Sequence, residues 1–91
     1  MGIKKVKYNR TDIGRLPNDR PVLYRIHTNS GKLNYAGTAK RGRVRERIRE
    51  HMGDIPGSTV QIEQFGGIDS ALSKESRVIK RSQPKYNTQG R

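Results

Sequence analysis

Apolar positions in this chain recur with two periods, and the two periods divide it into strands and helices. Val22, Tyr24 and Ile26 alternate within Val22-Leu23-Tyr24-Arg25-Ile26-His27, which predicts a strand. Asn29-Ser30-Gly31-Lys32 is a turn signal, and Leu33-Asn34-Tyr35-Ala36-Gly37 is a second short strand. Together they predict a hairpin, with Tyr24 and Tyr35 each on its strand's more apolar face. Val44, Ile48 and Met52 recur at i, i+4 and i+8, so residues 40–51 predict a helix with a narrow core stripe, ended by Gly53, Pro56 and Gly57. Thr59-Val60-Gln61-Ile62-Glu63-Gln64-Phe65 alternates again and predicts a third strand. After Gly66-Gly67, the residues Ile68, Ala71, Leu72 and Ile79 line one face of a final helix. Asp69 is its expected N-cap, and it should stop near Gln83, because a residue before proline is pushed out of the helical region. Residues 1–20 hold Gly14, Pro17, Asn18 and Asp19, with too few apolar positions (Ile3, Val6, Tyr8) to define an element. The expectation is an α+β fold, β-β-α-β-α, with a small antiparallel three-stranded sheet and flanking helices. Residues 1–20 form a basic N-terminal arm and residues 21–91 the folded domain.

Charge changes this picture more than size does. The chain has 91 residues, enough for one domain with one small core, and is 30% hydrophobic and 31% charged. That composition borders on the disordered range, so loose ends are expected around a folded body. Lysine and arginine number 20 against 8 acidic residues, a net charge of +12. So much positive charge on so small a body points to a polyanion, with nucleic acid ahead of an anionic membrane. No helix here pairs a basic face with a broad aromatic or leucine face, as membrane adsorption would need. There are no cysteines, which excludes disulfides, thiolate zinc sites and thiol nucleophiles. Two histidines, His27 and His51, make a structural zinc site unexpected. No apolar run approaches the roughly 18 residues of a membrane span. No hydrophobic stretch follows the basic N-terminus, so an intracellular, cytoplasmic protein is expected.

Two features of the helices carry candidate chemistry. At about 100° per residue, Glu75 falls within the stripe of Ile68, Ala71, Leu72 and Ile79. A carboxylate on a core-facing stripe is costly unless it is paired or binds a metal, which makes Glu75 a candidate functional group. The alternative is a side chain that turns outward and pairs with Lys74 or an arginine. Residues 40–49 hold six basic side chains, Lys40, Arg41, Arg43, Arg45, Arg47 and Arg49. Among them Arg47 lies one turn from His51 on the same flank of the core stripe. His51 also suits a helix C-terminus, where it would face the dipole.

Val22-Leu23-Tyr24 followed by Tyr35-Ala36-Gly37 resembles the paired tripeptides of the GIY-YIG nuclease family. Val44-Arg45-Glu46-Arg47-Ile48-Arg49-Glu50-His51 is similar to that family's helix, in which an apolar residue precedes arginine at +3 and often histidine at +7. Glu75 with Val78-Ile79, then Pro84-Lys85-Tyr86-Asn87, is similar to its glutamate helix and terminal Pro-x-x-Asn segment. The resemblance covers roughly residues 21–88. Val22, Leu23 and Ala36 depart from the pattern by apolar exchanges that keep both tyrosines. The segment between Tyr35 and the arginine helix is about two residues longer than usual. Counting from Tyr35 therefore favours Arg45 as the family's arginine, whereas the helix pattern and its histidine favour Arg47. Arg47 is preferred, because spacing within a helix survives a loop insertion.

The resemblance implies a divalent-metal-dependent endonuclease that hydrolyses phosphodiester bonds in DNA, with RNA as the alternative substrate. Glu75 would hold one Mg2+ or Mn2+ ion. Tyr24 would act as base or position the water, through a phenolate favoured by the metal and arginine. Tyr35 would orient phosphate or water, Arg47 would clamp the phosphate, His51 would bond a tyrosine or take up a proton, and Asn87 would brace the site. Lys40, Arg41, Arg43 and Arg45 are expected on the phosphate backbone without reading bases, and Lys4, Lys5 and Lys7 in the same role. A monomer or weak homodimer is expected. The competing class is a non-enzymatic basic nucleic-acid-binding protein, which accounts for charge and size but not for Glu75.

Overall fold

The chain alternates strand and helix more often than its hydrophobic pattern indicates. The computed structural model describes residues 3–84 and 86. Along them run β1 (Ile3–Lys7), α1 (Arg10–Ile13), β2 (Val22–His27), β3 (Leu33–Ala39), α2 (Val44–Glu50), β4 (Thr59–Gln64) and α3 (Ile68–Ser82). The strands form one sheet in the order β1-β4-β2-β3, with every neighbouring pair antiparallel. The α+β class and the β2–β3 hairpin match the expectation. The sheet has four strands rather than three, because β1 pairs with β4 from Ile3↔Glu63 to Lys7↔Thr59.

The fourth strand changes the standing of residues 1–20. Ile13 and Leu16 are fully buried in the main core, beside Val22, Tyr24, Ile26, Val44, Ile48, Val60 and Ile62. Asn9 caps α1 by accepting from the Asp12 backbone N–H at 2.8 Å. Asn18 accepts from the Val44 N–H at 2.8 Å and so caps α2 from another part of the chain. Arg45 donates its Nε–H to the Leu16 carbonyl at 2.7 Å. The segment expected as an arm is thus tied to the core, the sheet and α2.

The sheet is covered on both faces, which follows from its period of two. Val22, Tyr24 and Ile26 face Ile13, Leu16, Val44 and Ile48 from α1 and α2 and the loop between α1 and β2. Leu23 and Ala36 point the other way, into a smaller core with Phe65 and Ala71, and Ile68, Val78 and Ile79 of α3 pack against it. Leu72, expected on the stripe of α3, is instead 45% exposed, and Val78 takes its place. The N-cap of α3 is Gly67 without a side-chain bond, and Asp69 lies within the first turn rather than capping it. The helix ends at Gln83, in the left-handed region at φ 46, just before buried Pro84. α2 begins at Val44, after a turn at residues 40–42 with Gly42 at φ 84. Among the described residues no helix is long and apolar enough to cross a membrane.

Candidate active site

Two neighbouring strands and the end of one helix bring three rings together. Tyr24 sits on β2 and Tyr35 on β3, on the same face of the sheet. His51 closes the C-terminal end of α2, which packs on that face. The Tyr24 hydroxyl lies 2.7 Å from His51 Nε2. The Tyr35 and His51 rings are 4.6 Å apart between centroids, and the Tyr24 and Tyr35 rings 6.1 Å. Gly37 makes this packing feasible. It stands directly opposite Tyr24 in the hairpin, and a Cβ there would lie 2.7 Å from the Tyr24 hydroxyl and 2.9 Å from Tyr35 Cε2.

Arg47 and Glu75 complete the group. The positive charge of Arg47 acts on both Tyr24 and His51, and the negative charge of Glu75 acts on Tyr24. Arg47 lies on the α2 flank that carries His51, and its guanidinium is 3.5 Å from Glu50 in a half-exposed pair. It also lines a cavity of about 300 Å³ with Lys40, Arg43, Ile68 and Leu72. Arg45 is on the other flank, where its bond to the Leu16 carbonyl makes it a link between α2 and the segment after α1. The arginine that helix-internal spacing selects is therefore the one beside the tyrosines. Lys40, Arg41 and Arg43 are exposed, and Arg43 pairs with Glu46 at 2.7 Å. Asn87 lies outside the described residues.

Electrostatics favour the neutral forms of Tyr24 and His51. Burial is the main force raising the Tyr24 pKa well above that of an ordinary phenol, with Tyr35 and Glu75 adding to it and Arg47 only partly opposing them. His51 is lowered from 6.5, first by burial and then by Arg47, against smaller opposing effects of Glu50 and Asp54. Between a protonated phenol and a neutral imidazole, the Tyr24 hydroxyl donates to Nε2 when His51 carries its proton on Nδ1, and accepts from it when His51 carries its proton on Nε2. Burial outweighs Arg47 at Tyr24, so the arginine alone does not favour the phenolate expected there.

A single carboxylate limits what the site can hold. Among the described residues no group of three or more His, Cys, Asp or Glu side chains is placed to enclose a metal ion. Glu75 is half-buried on α3 and is not without a partner in the protein. One carboxylate suits an ion such as Mg2+, which keeps several waters and takes its remaining ligands from a substrate phosphate. It does not suit a closed all-protein cage. Glu75 thus fits the single-ion expectation as the only described acid whose charge acts on Tyr24.

Sequence reasoning placed Gly37 in the second tripeptide without assigning it a packing role, and it overlooked the capping role of Asn18. A register shift between Ile26 and His27 intervenes between the turn and the Tyr24↔Gly37 pair, so the turn alone did not mark Gly37. Asn18 left no local signal, because it caps a helix 26 residues away. No protein-family model matches the chain, and no curated protein matches it.

Proposed function

We propose that this protein is a divalent-metal-dependent endonuclease of GIY-YIG type acting on DNA. One observation carries the reading. Tyr24, Tyr35, Arg47, His51 and Glu75, spread over four elements, act on one another at a single place. A protein that only bound phosphates would need arginines, but not a buried tyrosine–histidine pair within range of an inward-facing glutamate. The hairpin bearing both tyrosines, the arginine helix and the glutamate helix also occur in the order the resemblance requires.

Each residue has a definite task in phosphodiester hydrolysis. Arg47 grips two non-bridging phosphate oxygens with its planar fork of donors and holds the charge that grows on them. With His51 protonated on Nδ1, Tyr24 accepts a proton from the attacking water while passing its own to His51 Nε2, so no free phenolate is needed. Tyr35 packs against the His51 ring and holds it in line for that transfer. Glu75 would hold one Mg2+ or Mn2+ ion, which would supply charge for the transition state and acidity to water.

The test is cleavage of supercoiled plasmid and of a short duplex with Mg2+ or Mn2+. Glu75→Gln and Arg47→Ala should each lower the rate by about 100-fold or more. Duplex binding should persist in both. Arg45→Ala should cleave nearly normally and lose stability instead. Binding without cleavage by the parent protein, with either metal, would leave the non-enzymatic reading in possession.

A further inference from the structure

The sheet face turned away from the tyrosines carries a separate concentration of charge. Opposed residues in antiparallel strands share a face, so Lys5, Gln61 and Arg25 form one row and Lys7, Thr59 and His27 the next. This is the face that carries Leu23 and α3. α3 packs on β2 and β3, and Lys5 and Lys7 on β1 remain exposed. Along the flank of α3, Lys74, Arg77 and Arg81 border a groove of about 390 Å³ that also reaches Arg25. Six cations therefore share this face with two described carboxylates, Glu63, which is only 6% exposed, and Asp69, which lines a hollow with Phe65 and Arg77. Lys74 holds both Glu63 oxygens at 2.8 and 2.9 Å, and Arg25 stands 3.7 Å away. Lys5, Lys7, Arg77 and Arg81 have no ion-pair partner among the described residues.

We infer that this rear face binds a second stretch of nucleic-acid phosphate backbone, on the side of the sheet opposite the candidate active site. The chemistry is that of a polyphosphate strand. Arg77 and Arg81 are one helical turn apart and point toward the groove, and Lys5 and Lys7 extend the positive track across the sheet. The same positive field, after burial, lowers the pKa of His27 through Lys5 and Arg25. A lipid surface fits less well, because the only large apolar side chain exposed in this part of the sheet, among the described residues, is Ile3.

The inference rests on nucleic-acid binding and not on cleavage, so its test uses metal-free protein. A labelled duplex of mixed sequence is titrated by fluorescence anisotropy at several salt concentrations. The rear variant is Lys5→Gln/Arg77→Gln/Arg81→Gln. The control is Arg10→Gln/Arg15→Gln/Arg20→Gln, which removes the same charge from exposed positions elsewhere. The rear variant should bind at least about tenfold more weakly, with a log–log salt slope shallower by about two, as expected for two or more lost phosphate contacts. The control should lose about threefold or less. Equal losses in the two variants, or no loss in the rear variant, would overturn the proposal. Unchanged duplex affinity with lost adsorption to phosphatidylserine vesicles would overturn it in favour of a lipid surface. A parent that binds no duplex would overturn the nucleic-acid reading itself, and this inference with it.

Discussion

A glycine and a histidine set the geometry around Tyr24. Gly37→Ala would drive a methyl group into the Tyr24 hydroxyl at 2.7 Å and its Cζ at 2.8 Å. Both rings are held by packing, so the strain has no easy outlet. The substitution should destabilise the fold by about 1–3 kcal/mol, the usual cost of overpacking, and displace both tyrosines. Thermal melts and cleavage rates check this, and a variant equal to the parent in both would remove Gly37 from the site. His51 and His27 make a prediction about pH. Burial, followed by Arg47 for His51 and by Lys5 and Arg25 for His27, holds both below their ordinary value of 6.5 when folded. The unfolded chain then binds more protons as pH falls through 6.5, so stability is full above that value and declines below it. His51→Gln should flatten the decline measured by chemical unfolding between pH 7 and 5. A slope unchanged by the substitution would show that His51 is not held neutral. At this scale the sequence revealed positions better than contacts. A 3.6-residue period places Glu75 inward from its neighbours alone, but misplaces Leu72, which lies at the edge of the stripe where only packing decides. The hydrogen bond between Tyr24 and His51, 27 residues apart, was reachable through the family resemblance, which has His51 bond a tyrosine, and not through any local pattern.

The elements that were legible are those whose apolar residues keep a regular period on one side. β2, β3 and β4 alternate because α1 and α2 cover one face of the sheet, and α2 keeps a narrow stripe because only Val44 and Ile48 are buried. β1 was illegible for the opposite reason. It is an edge strand with an exposed–intermediate pattern, and its three lysines are what edge strands use to avoid pairing with other chains. α1 has four residues, too few to show a period, and depends on its Asn9 cap. The segment that follows it is nonetheless decisive for the position of α2. Leu16 is 1% exposed and its carbonyl receives Arg45, so it holds the arginine helix against the sheet by packing and by a hydrogen bond. Leu16→Ala should therefore cost about 2–5 kcal/mol in a denaturant titration. A true arm residue would cost less than about 0.5 kcal/mol. The smaller value would mean that residues 1–20 do dissociate from the body.

At the scale of the whole molecule, one property governs both stability and binding, and salt should move them in opposite directions. The chain carries +12, and exposed cations occur on both sides of the sheet, with Lys40, Arg41 and Arg43 on one side and Lys5, Lys7, Arg77 and Arg81 on the other. Few are neutralised. Among the described residues only Arg43–Glu46, Arg47–Glu50 and the Glu63 cluster form ion pairs, and the first two are largely exposed. Exposed pairs contribute little, so the dominant electrostatic effect on folding is mutual repulsion. Added salt screens that repulsion over a Debye length of about 10 Å at 0.1 M. The principal axes of the molecule are 29, 28 and 21 Å. Neighbouring charges on one face are thus partly screened at that ionic strength, and those on opposite faces almost wholly. The melting temperature of the free protein should rise between 10 and 200 mM NaCl. Duplex affinity should fall over the same range, because binding releases counterions from the nucleic acid. A bound duplex should then stabilise the protein most at low salt, where the free protein is weakest and affinity highest. Differential scanning fluorimetry with and without duplex, across a salt series, measures all three trends together. A melting temperature that falls with salt would show that attractive pairs outweigh repulsion, and the excess charge would then need an explanation within the fold rather than in a partner.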